Sequence, residues 1–152
     1  MSATLALNKK VRHNYNILDN YQAGIVLSGP EVKSAKAGRT DISAGYVVLD
    51  NKGQASLINA RIASYPPAAG VQTDYLPTRS RRLLLTGKEL VSLAGKLHTK
   101  GLTALPIRVY TKNTLIKIEI GVCRGKKLFD KRETLKRRDI DRKVKRQVRG
   151  KI

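Results

Sequence analysis

From Leu115 to Cys123 the chain alternates: Ile116, Ile118, Ile120 and Val122 take every second place, with Lys117, Glu119 and Gly121 between them. Successive side chains of a strand point to opposite faces, so a period of two makes this segment a half-buried antiparallel strand. Just before it, Leu105, Ile107 and Val109 alternate with Pro106, Arg108 and Tyr110. Lys112, Asn113 and Thr114 break the two runs, and Asn tolerates the left-handed backbone of a tight turn, so the pair predicts a hairpin. Shorter branched runs at Ala23 to Leu27, Tyr46 to Leu49 and Ala55 to Ile62 complete the strand set, the last two joined by the turn signal DNKG at Asp50 to Gly53.

Two helices interrupt these strands. Thr86 can cap the first turn of one while Glu89, three residues on, reaches back in a capping box. Leu90, Leu93, Ala94 and Leu97 follow the helical repeat, and Gly101 supplies a left-handed stop. The earlier segment SGPEVKSAKAG, from Ser28 to Gly38, reads as a two-turn helix with Pro30 in its first turn, Glu31 at its positive end and Gly38 closing it. Between Ser64 and Arg82, Pro66, Pro67, Gly70 and Pro77 are too many breakers for a regular element, which predicts a mobile surface loop. The expected fold class is mainly β with inserted α-helices: a small antiparallel barrel of the oligonucleotide-binding (OB-like) type.

At 152 residues the chain has room for one modest domain. Its 31 Lys and Arg against 11 Asp and Glu give a net charge of +20, a self-repelling surface that calls for a polyanionic partner. Half of that excess sits in the last 29 residues, where fourteen Lys and Arg face four Asp and Glu. The expected division is therefore a folded body over residues 1–123 and a basic tail over 124–152. In the tail Ile140, Val144, Val148 and Ile152 recur every four residues, a narrow helical stripe among cations. Repulsion between those cations should keep the tail disordered alone and helical only against an acidic surface. No apolar run approaches the length of a membrane span, and MSATLALNKK holds no signal-length apolar stretch, so the cytoplasm is the expected location and no membrane partner is expected.

Catalytic chemistry finds little support. His13 and His98 stand far apart with no ligand spacing around them, and no phosphate loop, nucleophile elbow or carboxylate pair is legible. No enzyme, cofactor or metal site is expected, and the lone Cys123 reads as a plain strand residue. Basic clusters are abundant instead: Lys9, Lys10 and Arg12 beside His13 and Tyr15; Arg79, Arg81 and Arg82; and Arg124, Lys126 and Lys127 around Gly125. Any one of them alone is more often just a solvated face. Three together, with tyrosines that can stack on bases, point to RNA. A structural ribosomal protein with an anchoring tail fits charge and strand pattern equally well.

The segments AGIVLSGPEVKSAKAG at 23–38, RRLLLTGKEL at 81–90, GLTALPIRVYTKN at 101–113 and RGKKLFDKRET at 124–134 closely resemble the bacterial SsrA-binding proteins, also called small protein B. The resemblance runs from about Asn8 to Thr134 and separates this reading from the ribosomal one. It implies a ribosome-rescue factor: a barrel that holds the tRNA-like domain of transfer-messenger RNA and brings it into stalled ribosomes. The protein would stand in at the decoding centre, its tail helical in the empty mRNA channel, with elongation factor Tu engaged through the shared RNA. By the same resemblance Asn8, Lys9, Arg12, His13, Gln22, Lys33, Leu84, Thr86, Arg124, Lys126 and Lys127 would meet the RNA. Asp130, Lys131 and Arg132, with the tail stripe Ile140, Val144 and Val148, would meet the ribosome. Two positions depart from the pattern. Gln22 stands where the family often has Glu, and Thr86 where it often has Asn; Gln keeps hydrogen-bonding capacity without the charge, and Thr86 also serves as a helix cap.

Overall fold

Strand pairing dominates the architecture, which is mainly β with a few helices. A computed structural model describes residues 3–65 and 75–125. Among the described residues the elements run β1 (Thr4–Leu7), α1 (Lys9–Asn14), β2 (Tyr15–Ile25), α2 (Gly29–Lys36), β3 (Thr40–Asp41), β4 (Tyr46–Leu49), β5 (Ala55–Ile58), β6 (Arg61–Ile62), β7 (Arg81–Leu84), α3 (Gly87–Leu97), β8 (Leu102–Lys112) and β9 (Leu115–Gly125). The larger sheet has the order β1-β8-β4-β5-β7-β2-β9, with β9 also paired to β8. A small second sheet joins β3 to β6.

The predicted hairpin is β8 and β9, paired from Leu102 with Arg124 to Lys112 with Leu115. Asn113 takes the left-handed backbone at its tip, φ 57°. On β9, Ile116, Ile118, Ile120 and Val122 are all buried, as their alternation requires. Gly121 is buried on the other face, where a Cβ would lie 2.6 Å from Ile107 Cδ1; only glycine lets the two strands pack this closely. β8 does not keep the simple alternation expected of it. A bulge between Pro106 and Arg108 adds Ile107 as an extra residue, so Pro106 and Ile107 are both buried, and so are Val109 and Tyr110. Proline has no N–H to give to a ladder, and the Ile107 carbonyl accepts instead from Asn8 N–H at 2.8 Å.

Tertiary pairing also lengthens and divides other runs. The expected strand from Ala23 to Leu27 is the end of the much longer β2, whose polar start pairs with β9 from Tyr15 opposite Gly125 onward. The expected strand from Ala55 to Ile62 breaks at Asn59, φ 61°, and β6 leaves for the second sheet. Inside, Tyr21, Ala23, Val47, Leu57, Leu83 and Val109 pack with the β9 stripe, and Leu93 of α3 covers them.

Both predicted helices begin as expected. Glu89 N–H donates to Thr86 Oγ1 at 3.2 Å and Thr86 N–H to Glu89 Oε1 at 3.1 Å, a complete capping box. Ser28 and Glu31 make the same exchange at α2. Glu31, however, does more than favour the positive end of a helix: it is fully buried, as is Arg81. Arg81 Nε donates to Glu31 Oε2 at 2.8 Å, and its remaining donors reach Ala60 O at 2.8 Å, Pro77 O at 2.9 Å and Tyr75 Oη at 3.0 Å. Arg79 pairs with the other carboxylate oxygen. The expected mobile loop from Ser64 to Arg82 is thus tied down over 75–82, because a buried charge is tolerable only when paired and hydrogen-bonded. Residues 66–74 of that loop lie outside the described residues.

Burial acts to raise the Glu31 carboxyl, but hydrogen bonds from Arg79, Ser28 N–H and Arg81, with the charge of Arg81, outweigh it and hold the group at about 2 against an ordinary 4.5. The resulting stabilisation, about 3 kcal/mol, is complete above the ordinary value and lost as pH falls through the folded one. Glu31→Gln should therefore lower stability in urea unfolding by about 3–5 kcal/mol at neutral pH. Its deficit against the natural chain should shrink between pH 4.5 and about 2; a deficit constant with pH would refute the assignment. Thr86→Ala should cost about 1 kcal/mol in the same measurement, and Thr86→Asn, another good cap, much less.

Candidate nucleic-acid interface

The first basic cluster is built on α1, a helix whose sequence carries too few apolar residues to announce it. Val11 anchors it, packed with Ile107 and Cys123. Asn8 precedes it with its side chain turned inward, Nδ2 donating to Pro106 O at 3.0 Å and Ile42 O at 3.4 Å. Asn8 is thus buried and holds α1 on the β8 bulge, with Oδ1 unpartnered among the described residues, rather than standing out toward solvent. With one side of α1 anchored, Lys9 and Arg12 are exposed and His13 is half-buried. Leu7 through Lys10, Arg12 and His13 line a cavity of about 530 Å³ whose charged walls are all basic among the described residues. β2 leaves α1 at Tyr15, opposite Gly125, and Asn16 opposite Arg124 brings that exposed guanidinium to the same end of the sheet. Lys9, Arg12 and His13 of α1 are thereby gathered with Arg124, which is distant from them in sequence.

Gln22 and Leu84 form a second group. Gln22 lies opposite Glu119, seven residues beyond Tyr15 and so about 23 Å along the strand from the α1 end. Leu84 lies opposite Gly24 and is 53% exposed, an apolar side chain left in water. A Cβ on Gly24 would sit 3.3 Å from that of Leu84, so the glycine leaves room for Leu84 to stand on this face. Lys117, the β9 partner of Gly24, adds a positive charge. Thr86 follows two residues after Leu84, its hydroxyl engaged in the α3 cap. Lys33 stands on α2, its ammonium 5.8 Å from the centre of the Tyr65 ring.

One expected cluster is not a phosphate grip. Arg81 is buried against Glu31; Arg79, partly exposed, is neutralised by the same carboxylate; Arg82 is exposed, and its Nη2 meets Gln54 Oε1 at 3.0 Å. The bland spacing R-S-R-R hides which arginine faces inward; the buried Glu31 decides it. Conversely, Arg108, Tyr110 and Lys117 join Gln22 on one face although nothing in their own segments marks them, since only the register between β8, β9 and β2 brings them together. Cys123 is the plain strand residue expected, its thiol pushed up to about 11 by burial and so kept protonated. His98 is an exposed residue at the end of α3. Lys126, Lys127, Asp130, Lys131, Arg132, Ile140, Val144 and Val148 lie outside the described residues. Among the described residues no helix is long and apolar enough to cross a membrane.

Known proteins match this chain along nearly its whole length. The SmpB protein family model covers residues 5–150. The SsrA-binding protein of Persephonella marina is 46% identical over 148 residues, 97% of this chain and 95% of that relative. That of Oleidesulfovibrio alaskensis is 44% identical over 146 residues, covering 96% and 92% of the two chains. A chain of the solved structure described as "tmRNA-SmpB: a journey to the center of the bacterial ribosome" is 40% identical, with a TM-score of 0.66 over 80% of this chain and 84% of that one. The family model and the relatives agree on one assignment: the chain belongs to the SmpB family, the SsrA-binding proteins.

Proposed function

We propose that this chain binds the tRNA-like domain of transfer-messenger RNA and delivers it to stalled ribosomes for trans-translation. The observation that carries the reading is the 46% identity, along almost the whole chain, to proteins named for binding SsrA RNA. The solved relative, whose description joins tmRNA, SmpB and the bacterial ribosome, supports the same two partners. Surface chemistry agrees with it. Exposed cations gather at the α1 end while Gln22 and Leu84 stand about 23 Å away, a spread that suits a folded RNA better than a short single strand.

In this reading residues 1–123 form an OB-like barrel, a closure supported by the return pairing of β9 onto β8 and by α3 inserted between β7 and β8. Lys9, Arg12, His13, Arg124, Lys126 and Lys127 neutralise phosphates, Asn8 positions α1, and Gln22, Lys33, Leu84 and Thr86 make the more local contacts. The basic tail, expected over residues 124–152, follows β9, which itself runs to Gly125; from Asp130 on it enters the empty mRNA channel, with Asp130, Lys131 and Arg132 at its root and Ile140, Val144 and Val148 on one helical side. Elongation factor Tu joins through the shared RNA. The work is done in the cytoplasm and is binding, not catalysis.

Sequencing the RNA recovered with the tagged protein from its own cell extract should return transfer-messenger RNA; recovery of bulk ribosomal RNA alone would favour a structural ribosomal protein. Removing the charges of Lys126 and Lys127 should lower the salt slope of binding by up to about one per lost phosphate contact. Deleting residues 130–152 should leave RNA affinity unchanged and abolish peptide tagging on stalled ribosomes. Tagging that persists after truncation would remove the tail from the mechanism.

A further inference from the structure

The outer face of β2, β8 and β9 carries a run of side chains held by one another. Glu119 is its anchor: Oε1 accepts from Asn20 Nδ2 and Oε2 from Arg108 Nε, both at 3.2 Å. Both carboxylate oxygens are thereby engaged. The Arg108 guanidinium lies over the Tyr110 ring, 4.4 Å from its centre, a cation–π contact that fixes the ring from above. The Tyr110 hydroxyl in turn donates to Gln22 Oε1.

This last bond sets the polarity of an exposed group. Burial pushes the Tyr110 phenol up, with Arg108 opposing and Glu119 assisting, so the proton it gives to Gln22 stays on the hydroxyl. A free surface glutamine retains several rotamers, and ordering it has an entropic cost that a bare structural role would not justify. With its carbonyl held by Tyr110, Gln22 keeps its Nε2 hydrogens to donate to another group. Flipped over, the amide would lose the carbonyl that accepts the Tyr110 proton. A carboxylate at this position would also accept from Tyr110, but its second oxygen would present an acceptor to the solvent, the opposite polarity. Two residues on along the same face, Gly24 lies opposite both exposed Leu84 and Lys117, which add an apolar surface and a positive charge to the Gln22 face.

We infer that Tyr110 is a positioning residue that fixes Gln22 as an outward hydrogen-bond donor, so that this patch selects an RNA nucleotide offering an acceptor atom. The RNA-binding function proposed above supplies the ligand class; the orientation of Gln22 stands on the side-chain network alone.

Two measurements on the full chain separate these levels. In the free 15N-labelled protein the Gln22 side-chain amide should be rigid, with its two protons well resolved. Tyr110→Phe should return it to the averaged shifts and fast relaxation of a free surface amide; unchanged shifts and relaxation would overturn the positioning role. In fluorescence anisotropy against the tRNA-like transcript, Tyr110→Phe should weaken binding about fivefold, the effect of one modest hydrogen bond, with the melting curve checking that the fold is kept. Gln22→Ala should lose at least as much, and the double variant no more than Gln22→Ala, because Tyr110 acts only through Gln22. Losses that multiply in the double variant would overturn that coupling. Gln22→Glu should bind at least about tenfold more weakly, since it replaces donors by a charged acceptor; binding equal to the natural chain would overturn the donor assignment. Phosphorothioate and deaza-base interference identifies the acceptor as phosphate or base edge: a signal lost in Gln22→Ala supports the contact, and one unaltered there overturns it. If the natural chain fails to prefer the transcript over an unrelated hairpin, the RNA-binding reading falls, and the amide measurement still decides the role of Tyr110.

Discussion

β9 is hydrogen-bonded along both edges, to β8 on one side and β2 on the other, and the rest of the described molecule is arranged by that double pairing. Its apolar face supplies Ile116, Ile118, Ile120 and Val122 to the core. Its other face puts Glu119 and Lys117 between Arg108 and Tyr110 of β8 and Gln22 and Gly24 of β2. The end of the same strand carries Arg124 to the foot of α1. Because the side-chain period of a strand is two, a slip of one residue in either pairing would exchange core for surface and dissolve both polar groups at once.

Charge is arranged with comparable strictness. In a chain of net charge +20, carboxylates are scarce, and Glu31 is placed wholly inside, where it satisfies Arg81 and pairs with Arg79. Arg81 then gathers the carbonyls of Ala60 and Pro77 and the hydroxyl of Tyr75, tying α2, the approach to β6 and the lead into β7 to one another. That junction sets where β7 begins, and β7 carries Leu84 outward. A buried ion pair and an exposed apolar residue are thus two ends of one short segment. The cations that remain outside have few local carboxylates to neutralise them, which is the electrostatic condition for an external polyanion to bind.

The two surface groups differ in kind. At the α1 end, flexible cations surround an open cavity, suited to phosphates whose positions tolerate variation. On the β2 face, Glu119, Arg108, Tyr110 and Gln22 hold one another in sequence, suited to a contact that discriminates. In the proposed reading, affinity and selectivity fall to separate parts of one sheet.

Much of the framework was legible in the letters. The β8–β9 hairpin, the left-handed turns at Asn113 and Gly53, and the capped starts of α2 and α3 follow from local backbone preference and short-range periodicity, which act within a few residues. The motifs likewise carried the family, since it is read from ordered residues and needs no coordinates. Less legible were α1, with Val11 as its single buried apolar residue, and the polar half of β2, which is a strand because β9 pairs with it and not because of its own pattern. The bulge at Ile107 and the inward turn of Asn8 could not be read either, since each depends on the other across the fold. Arg81 and Arg82 are identical as letters, and only the buried carboxylate of Glu31 makes one a core residue and leaves the other in water. By itself the sequence determined the types of the strongly patterned elements, the net charge and the family, all local or additive properties. Tertiary structure decided which charges are free and which side chains share a face, because those depend on strand register and on the electrostatics of burial, and neither is a property of any one segment.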